Sequence, residues 1–115
     1  MFKLELEYHC PSWNILYSGV HWSKRKKQVD EIHQLVYYSA LNKIKKPFDH
    51  PVVMDIEVHY KDKRRHDPDN VCIKMFVDGL VMAKVLVDDD SKHIEELLVK
   101  VKTGEKKDKI IMTII

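Results

Sequence analysis

RRHDPDNVCIK, residues 64–74, and VLVDDDSK, residues 85–92, hold five of the chain's 18 acidic residues: Asp67, Asp69, Asp88, Asp89 and Asp90. Asp67-Pro68 has the form of a helix start, with aspartate at the cap and proline at the first helical position. A helix over residues 68–83 is therefore predicted. At about 100° per residue, Val71, Cys72, Ile73, Met75, Phe76, Val77, Leu80, Val81, Met82 and Ala83 cover nearly its whole circumference. Such a helix is buried, in the core or against a second subunit. Asn70, Lys74 and Asp78 fall four apart in one polar stripe leading back to the acidic start. The plain reading of the stripe is an exposed Lys74–Asp78 pair one helical turn apart.

Working outward, residues 2–8 alternate Phe, Leu, Leu and Tyr with charged residues, which predicts a half-buried strand. Residues 9–20 read as a loop. Ser23 is placed to cap a helix running to about Lys45, with Val29, Ile32, Val36, Ala40 and Leu41 as its apolar stripe. Its first turns carry Lys24, Arg25, Lys26 and Lys27, which oppose the helix dipole and suit a polyanionic partner. Further strands are predicted at 52–60, 93–101 and 109–115, with a charged loop at 61–66 and a turn at 103–106. Strands and helices mix without a βαβ rhythm, so the expected fold is α+β, one domain over residues 1–115 with a mixed sheet packed on two main helices.

Totals bound the function. The 115 residues suffice for one real core. No apolar run approaches the roughly 18 residues of a membrane span, and the opening MFKLELEYH is not a secretory leader. Two cysteines, Cys10 and Cys72, point to free thiols in a reducing, cytoplasmic setting, although one disulfide is compatible with the count. With the five clustered aspartates set aside, 13 acids face 20 lysines and arginines. Positive surface around a concentrated acidic spot suits a polyanion held by its phosphates while a metal works on one of them.

The acids do not spell a calcium loop: the fifth and sixth positions after Asp67 are Val71 and Cys72, where an EF-hand requires Asp or Asn and then Gly. Zinc is poorly served by His9-Cys10 and a distant Cys72. Of seven histidines, only His66 adjoins the acidic motif. Helix capping accounts for Asp67 but not for the second cluster. Magnesium, which takes one or two carboxylates with water and phosphate oxygens, suits aspartates at a helix start joined by a third from another segment.

Taken together, Arg64 to Asn70, Lys74, Asp78-Gly79-Leu80 and Val85 to Asp90 resemble the RusA-type Holliday-junction resolvases of bacteria and their phages or prophages. The resemblance is densest over residues 64–94, and Pro11-Ser12-Trp13-Asn14 is similar to the family's Pro-Ser-x-Asn loop. It implies a small, homodimeric, magnesium-dependent endonuclease (manganese as a substitute) that cuts four-way or branched DNA. Asp67, Asp69 and Asp89 would be the catalytic metal-binding acids, with Asp88 or Asp90 as substitutes for the third, and Lys74 the catalytic lysine. Here Lys74 follows Asp69 by five residues, where the family's best-known form has four. Asn14, Asn70, Lys63, Arg64, Arg65 and residues 24–27 would contact DNA. Two other readings stay open: a branched-nucleic-acid-binding module without catalysis, and a small metal-dependent nucleotide hydrolase.

Overall fold

The computed structural model describes residues 1–17, 19 and 21–115. Four strands, β1 (Phe2–Leu6), β2 (Val52–His59), β3 (Ile94–Lys102) and β4 (Lys109–Ile114), form one sheet in the order β1-β4-β2-β3. β4 runs antiparallel to both β1 and β2, while β3 is parallel to β2 and lies at the edge. Three helices accompany the sheet: the short α1 (Trp13–Leu16), the long α2 (Trp22–Ala40) and α3 (Lys74–Met82). The expected α+β class, a mixed sheet with two main helices in a single domain, is what the chain adopts.

The strands form where alternation puts every second side chain on one face. Leu4, Leu6, Met54, Ile56, Val58, Ile110, Met112 and Ile114 are buried there, joined by Ile32, Val36 and Ala40 of α2 and Phe76 and Leu80 of α3. The opposite face carries charge: Lys109 reaches Glu5 at 3.0 Å, Lys100 reaches Asp55 at 2.9 Å and Lys102 reaches Glu57 at 3.2 Å. Sheet and helices thus make two layers around one core.

Three boundaries depart from expectation. α2 is capped by His21, whose Nδ1 accepts from the Ser23 amide at 3.2 Å, rather than by Ser23. It ends at Ala40 instead of Lys45, because Asn42 takes a left-handed backbone (φ 64°), a stop that asparagine tolerates better than other side-chain-bearing residues. In the predicted loop over 9–20, Ser12 caps α1 by accepting from the Ile15 amide at 3.2 Å; Ser18 and Val20 lie outside the described residues.

A further departure concerns the motif itself. The helix predicted over 68–83 is broken in two: a single 3-10 turn at Pro68–Asn70 and then α3 from Lys74. Val71 is extended and bridges antiparallel to Ser12, while the Cys72 amide donates to the Pro11 carbonyl at 2.8 Å. Backbone pairing with a distant segment, together with burial of Val71 and Cys72, outweighs the local tendency to continue the helix. Most of the apolar surface of α3 is spent inside the domain. Met75, Phe76, Val77 and Leu80 are buried in the domain's own core, while Met82 stays exposed.

α3 lies so close to α2 that a Cβ at Gly79 would sit 2.7 Å from the Cβ of Val36. That neighbour is a branch point beside the backbone and cannot swing away. Gly79→Ala should therefore destabilise the fold by about 1–3 kcal/mol through overpacking, despite alanine's helix propensity advantage of about 1 kcal/mol. Urea denaturation monitored by circular dichroism measures it; an unchanged or higher midpoint would contradict the close contact.

Candidate nucleic-acid and metal site

The site is assembled from three segments far apart in the chain. The bridge between Ser12 and Val71 fastens residues 11–14 to the acidic motif. Beside it the Asn14 amide donates to Asn70 Oδ1 at 3.2 Å. On the other side of the break, Lys74 opens α3 and holds two carboxylates, Asp78 Oδ1 at 3.2 Å and Asp89 Oδ2 at 3.6 Å. The Asp78 hydrogen bond, with that residue's charge and then Asp89 behind it, keeps the lysine protonated above its ordinary range. The expected Lys74–Asp78 pair is thus present and exposed, while Asn70 belongs to a different element, so no continuous helical stripe exists.

The extra residue between Asp69 and Lys74 does not translate into a rotation about a helix axis. Residues 71–73 leave the 3-10 turn before α3 begins, and Lys74 still arrives beside Asp89. Among the later aspartates, Asp89 is the one that meets Lys74. Asp88 Oδ1 accepts from the Asp89 amide at 2.8 Å, bracing the turn. Asp90 is taken by Lys92 N at 3.1 Å and by the ring of His93, and the His93 hydrogen bond holds its carboxyl below the usual range.

Asp67 occupies the cap position of the 3-10 turn, yet its side chain makes no capping bond. Its Oδ1 instead accepts from Arg65 Nε at 2.9 Å, correcting the capping explanation for this residue. Asp69, two residues further on, is exposed. Every candidate ligand is thus a carboxylate, the donor chemistry a hard cation prefers. Among the described residues no three acidic, histidine or cysteine side chains converge on one point. The chemistry of the candidates is that of magnesium or manganese ligands, but the structure does not gather them around one point.

Arg64 and Arg65, with Asn14, Asn70 and Gln28 of α2, line a cleft of about 470 Å³. Both arginine side chains are more than four-fifths exposed, free to move toward a phosphate. The basic start of α2 borders this cleft through Gln28, but its charges are not all idle. Arg25 lies 4.8 Å over the Tyr17 ring, and Lys26 pairs with Asp30 at 2.8 Å. Lys26 and Lys27 line a separate groove with Trp22, and Lys63 leans over the turn at Gly104. Lys24 is exposed at the helix start.

Sequence reading missed the floor of the cleft. His66 stacks on Tyr60 with ring centroids 3.6 Å apart, and its Nε2 lies 2.8 Å from Asp62 Oδ1. His9 packs against Tyr60 from another direction and reaches Asp108 at 3.2 Å. Tyr60 donates its hydroxyl to the Cys10 carbonyl at 2.9 Å. The aromatic at the end of a predicted strand was legible; the histidines it would gather were not, since they come from residues 9 and 66.

No family model matches the chain, and no curated protein matches it in sequence.

Both cysteines are free and buried at the junction of the three segments. Burial pushes the Cys10 thiol up to about 12, with Cys72 adding to the shift, and raises Cys72 to about 11, again chiefly by burial. Since the thiolate is the reactive form, neither should react with an aromatic disulfide reagent at pH 8 before the protein unfolds, whereas both react promptly in denaturant. Rapid labelling of the native protein would mean that residues 9–14 are not docked on the motif.

Proposed function

We propose that this protein is a magnesium-dependent endodeoxyribonuclease acting on four-way or branched DNA, in the manner of the RusA-type resolvases it resembles. The observation that carries the reading is convergence. The three segments singled out in sequence, 11–14, 64–74 and 88–90, meet through Ser12–Val71, Asn14–Asn70 and Lys74–Asp89.

Asp67, Asp69 and Asp89 would hold the metal, with Asp88 braced behind. When bound, the metal supplies Lewis-acid polarisation and a more acidic water. Lys74 is already protonated between Asp78 and Asp89, so it presents a fixed positive charge to a pentacoordinate phosphorane without waiting for a proton. Arg65 can leave Asp67 for a phosphate, since an ion pair this exposed is only weakly held. Arg64, Arg65 and Lys63, with Lys24, Arg25, Lys26 and Lys27 on α2, grip flanking phosphates, which gives affinity without sequence information. The Asn14–Asn70 hydrogen bond fastens residues 11–14 to the motif that carries Asp67 and Asp69. A four-way junction is nearly two-fold symmetric, and a homodimer would present one site to each of two opposed strands.

A second reading is favoured by one observation: Asp67 and Asp89 are neutralised by the protein's own Arg65 and Lys74. On that reading the protein binds branched nucleic acid and does not cut it.

Cleavage of a synthetic junction, a fork and a linear duplex, with magnesium or with EDTA, separates the readings. The nuclease cuts the junction only with metal. Asp69→Asn and Asp89→Asn should abolish cutting while binding persists, and Lys74→Met should slow it by about 10²–10³-fold, the loss typical of one preorganised charge-stabilising donor. Binding that is equal in EDTA with no nicking under any condition would leave only the binding module; hydrolysis of mononucleotides with branched DNA untouched would point to a nucleotide enzyme.

A further inference from the structure

We propose that the cleft lined by Arg64, Arg65 and His66 is a pocket for one unpaired nucleotide, its base laid on the His66 ring and its phosphate between the two arginines. The proposal rests on the reading of this protein as one that acts on branched DNA. It adds which part of a branch is held: the nucleotide at the crossover that has lost its partner. At about 470 Å³ the cleft falls within the range of roughly 300–1,000 Å³ usual for small-ligand sites. A base still paired and stacked in a duplex cannot turn its face into such a recess; only an unpaired or extruded one can.

Charge and hydrogen bonding select this occupant. Of the chain's 18 acidic residues none lines the cleft among the described residues, while Arg64, Arg65, His9 and His66 all do. The carboxylates that engage the histidines stand outside it: Asp108 lies 3.2 Å from His9 Nδ1 and Asp62 lies 2.8 Å from His66 Nε2. Each ring keeps a second nitrogen, His9 Nε2 and His66 Nδ1, that meets no hydrogen-bond partner among the described residues. In a neutral ring that donates to its carboxylate, this second nitrogen is an acceptor. Asn70 gives its oxygen to the Asn14 amide and keeps its own NH2 group to donate. The pocket therefore offers acceptors and donors together for the edge of a base. Its permanent positive charge stands at the exposed rim, where a phosphate would lie.

The floor suits a flat ring. Tyr60 is fully buried, and its hydroxyl is fixed on the Cys10 carbonyl at 2.9 Å. His66 lies on it with ring centroids 3.6 Å apart and planes within 9° of parallel, while His9 meets Tyr60 at a steep angle, 5.0 Å between centroids. Tyr60 covers one face of His66, so the outer face is the one a base would take, with Leu16 and Val71 as apolar contacts. Stacking of this kind accepts any base, because every base has a π-face. The phosphate of such a nucleotide comes to Arg65, whose own partner is Asp67, so the held nucleotide adjoins the acids of the candidate metal site.

Fluorescence anisotropy on the full chain in EDTA tests this without any cleavage. The probes are two synthetic forks alike except at the branch, where one carries an unpaired adenine nucleotide and the other an abasic residue. Wild type should bind the first about tenfold tighter, the scale of one base–aromatic stack. His66→Ala should bind both forks equally, whereas His66→Phe, which keeps a ring face, should retain most of the preference. Circular dichroism establishes that each variant is folded, and the comparison of forks on wild type depends on no variant. Deoxyadenosine monophosphate should compete only far above the concentrations at which the fork binds. Competition at equal concentration would make the occupant a free nucleotide and overturn the proposal. Equal affinity of wild type for the two forks overturns the pocket and leaves metal-dependent cutting untouched. So does a preference that survives His66→Ala. Failure to bind either fork would overturn both the pocket and the branched-DNA reading beneath it.

Discussion

A short piece of antiparallel backbone pairing, Pro11-Ser12 against Val71-Cys72, is the constraint on which the site depends. It takes the Cys72 amide and the extended backbone of Val71 out of helical bonding, and so divides what would be one helix into a 3-10 turn and α3. It seats the capped turn of α1 next to the acids. It also buries both thiols, so the junction is dry on its inner side while the carboxylates remain outside. Loss of this pairing would separate Asn14 from Asn70 and remove the reason for Lys74 to begin a helix where it does.

The second constraint acts at the far side of α3. Gly79 allows the helix to approach Val36 at a distance no side chain would permit, and Phe76 and Leu80 of the same helix are fully buried in the core. With one face locked in this way, Lys74 and Asp78 are left on the exposed face, where Asp89 comes back to meet them. The ion pairs themselves are exposed and contribute little to stability. Their significance is positional: rigid apolar packing sets the direction of groups that remain free to exchange partners with a phosphate.

The sheet shows the same division of labour. One face is apolar and covered, and the other is laced with ion pairs that run across neighbouring strands. β1 and β3 are the two edges. Only β3 combines length, exposed leucines and unspent charge, so the sheet is closed by helices on one face but not at that edge.

Alternation along 2–8, 52–60 and 109–115 placed those strands to within two residues, because a half-buried strand writes its burial directly into a period of two. The α2 stripe of Ile32, Val36 and Ala40 was legible for the same reason, and the α+β class followed. So was the chemical inventory: hard carboxylates in two clusters, a lysine between them and arginines alongside. Tertiary structure alone decided where the motif helix breaks, that Asp67 faces Arg65 rather than capping, that Asp89 of three adjacent aspartates meets Lys74, and that His9 and His66 share Tyr60. The Arg65–Asp67 pair joins side chains only two residues apart; each of the others depends on a contact between residues more than a dozen positions apart, or on a backbone group whose partner lies in another segment. Local periodicity carries no record of such partners, because the free energy that selects them arises only when the segments are desolvated together.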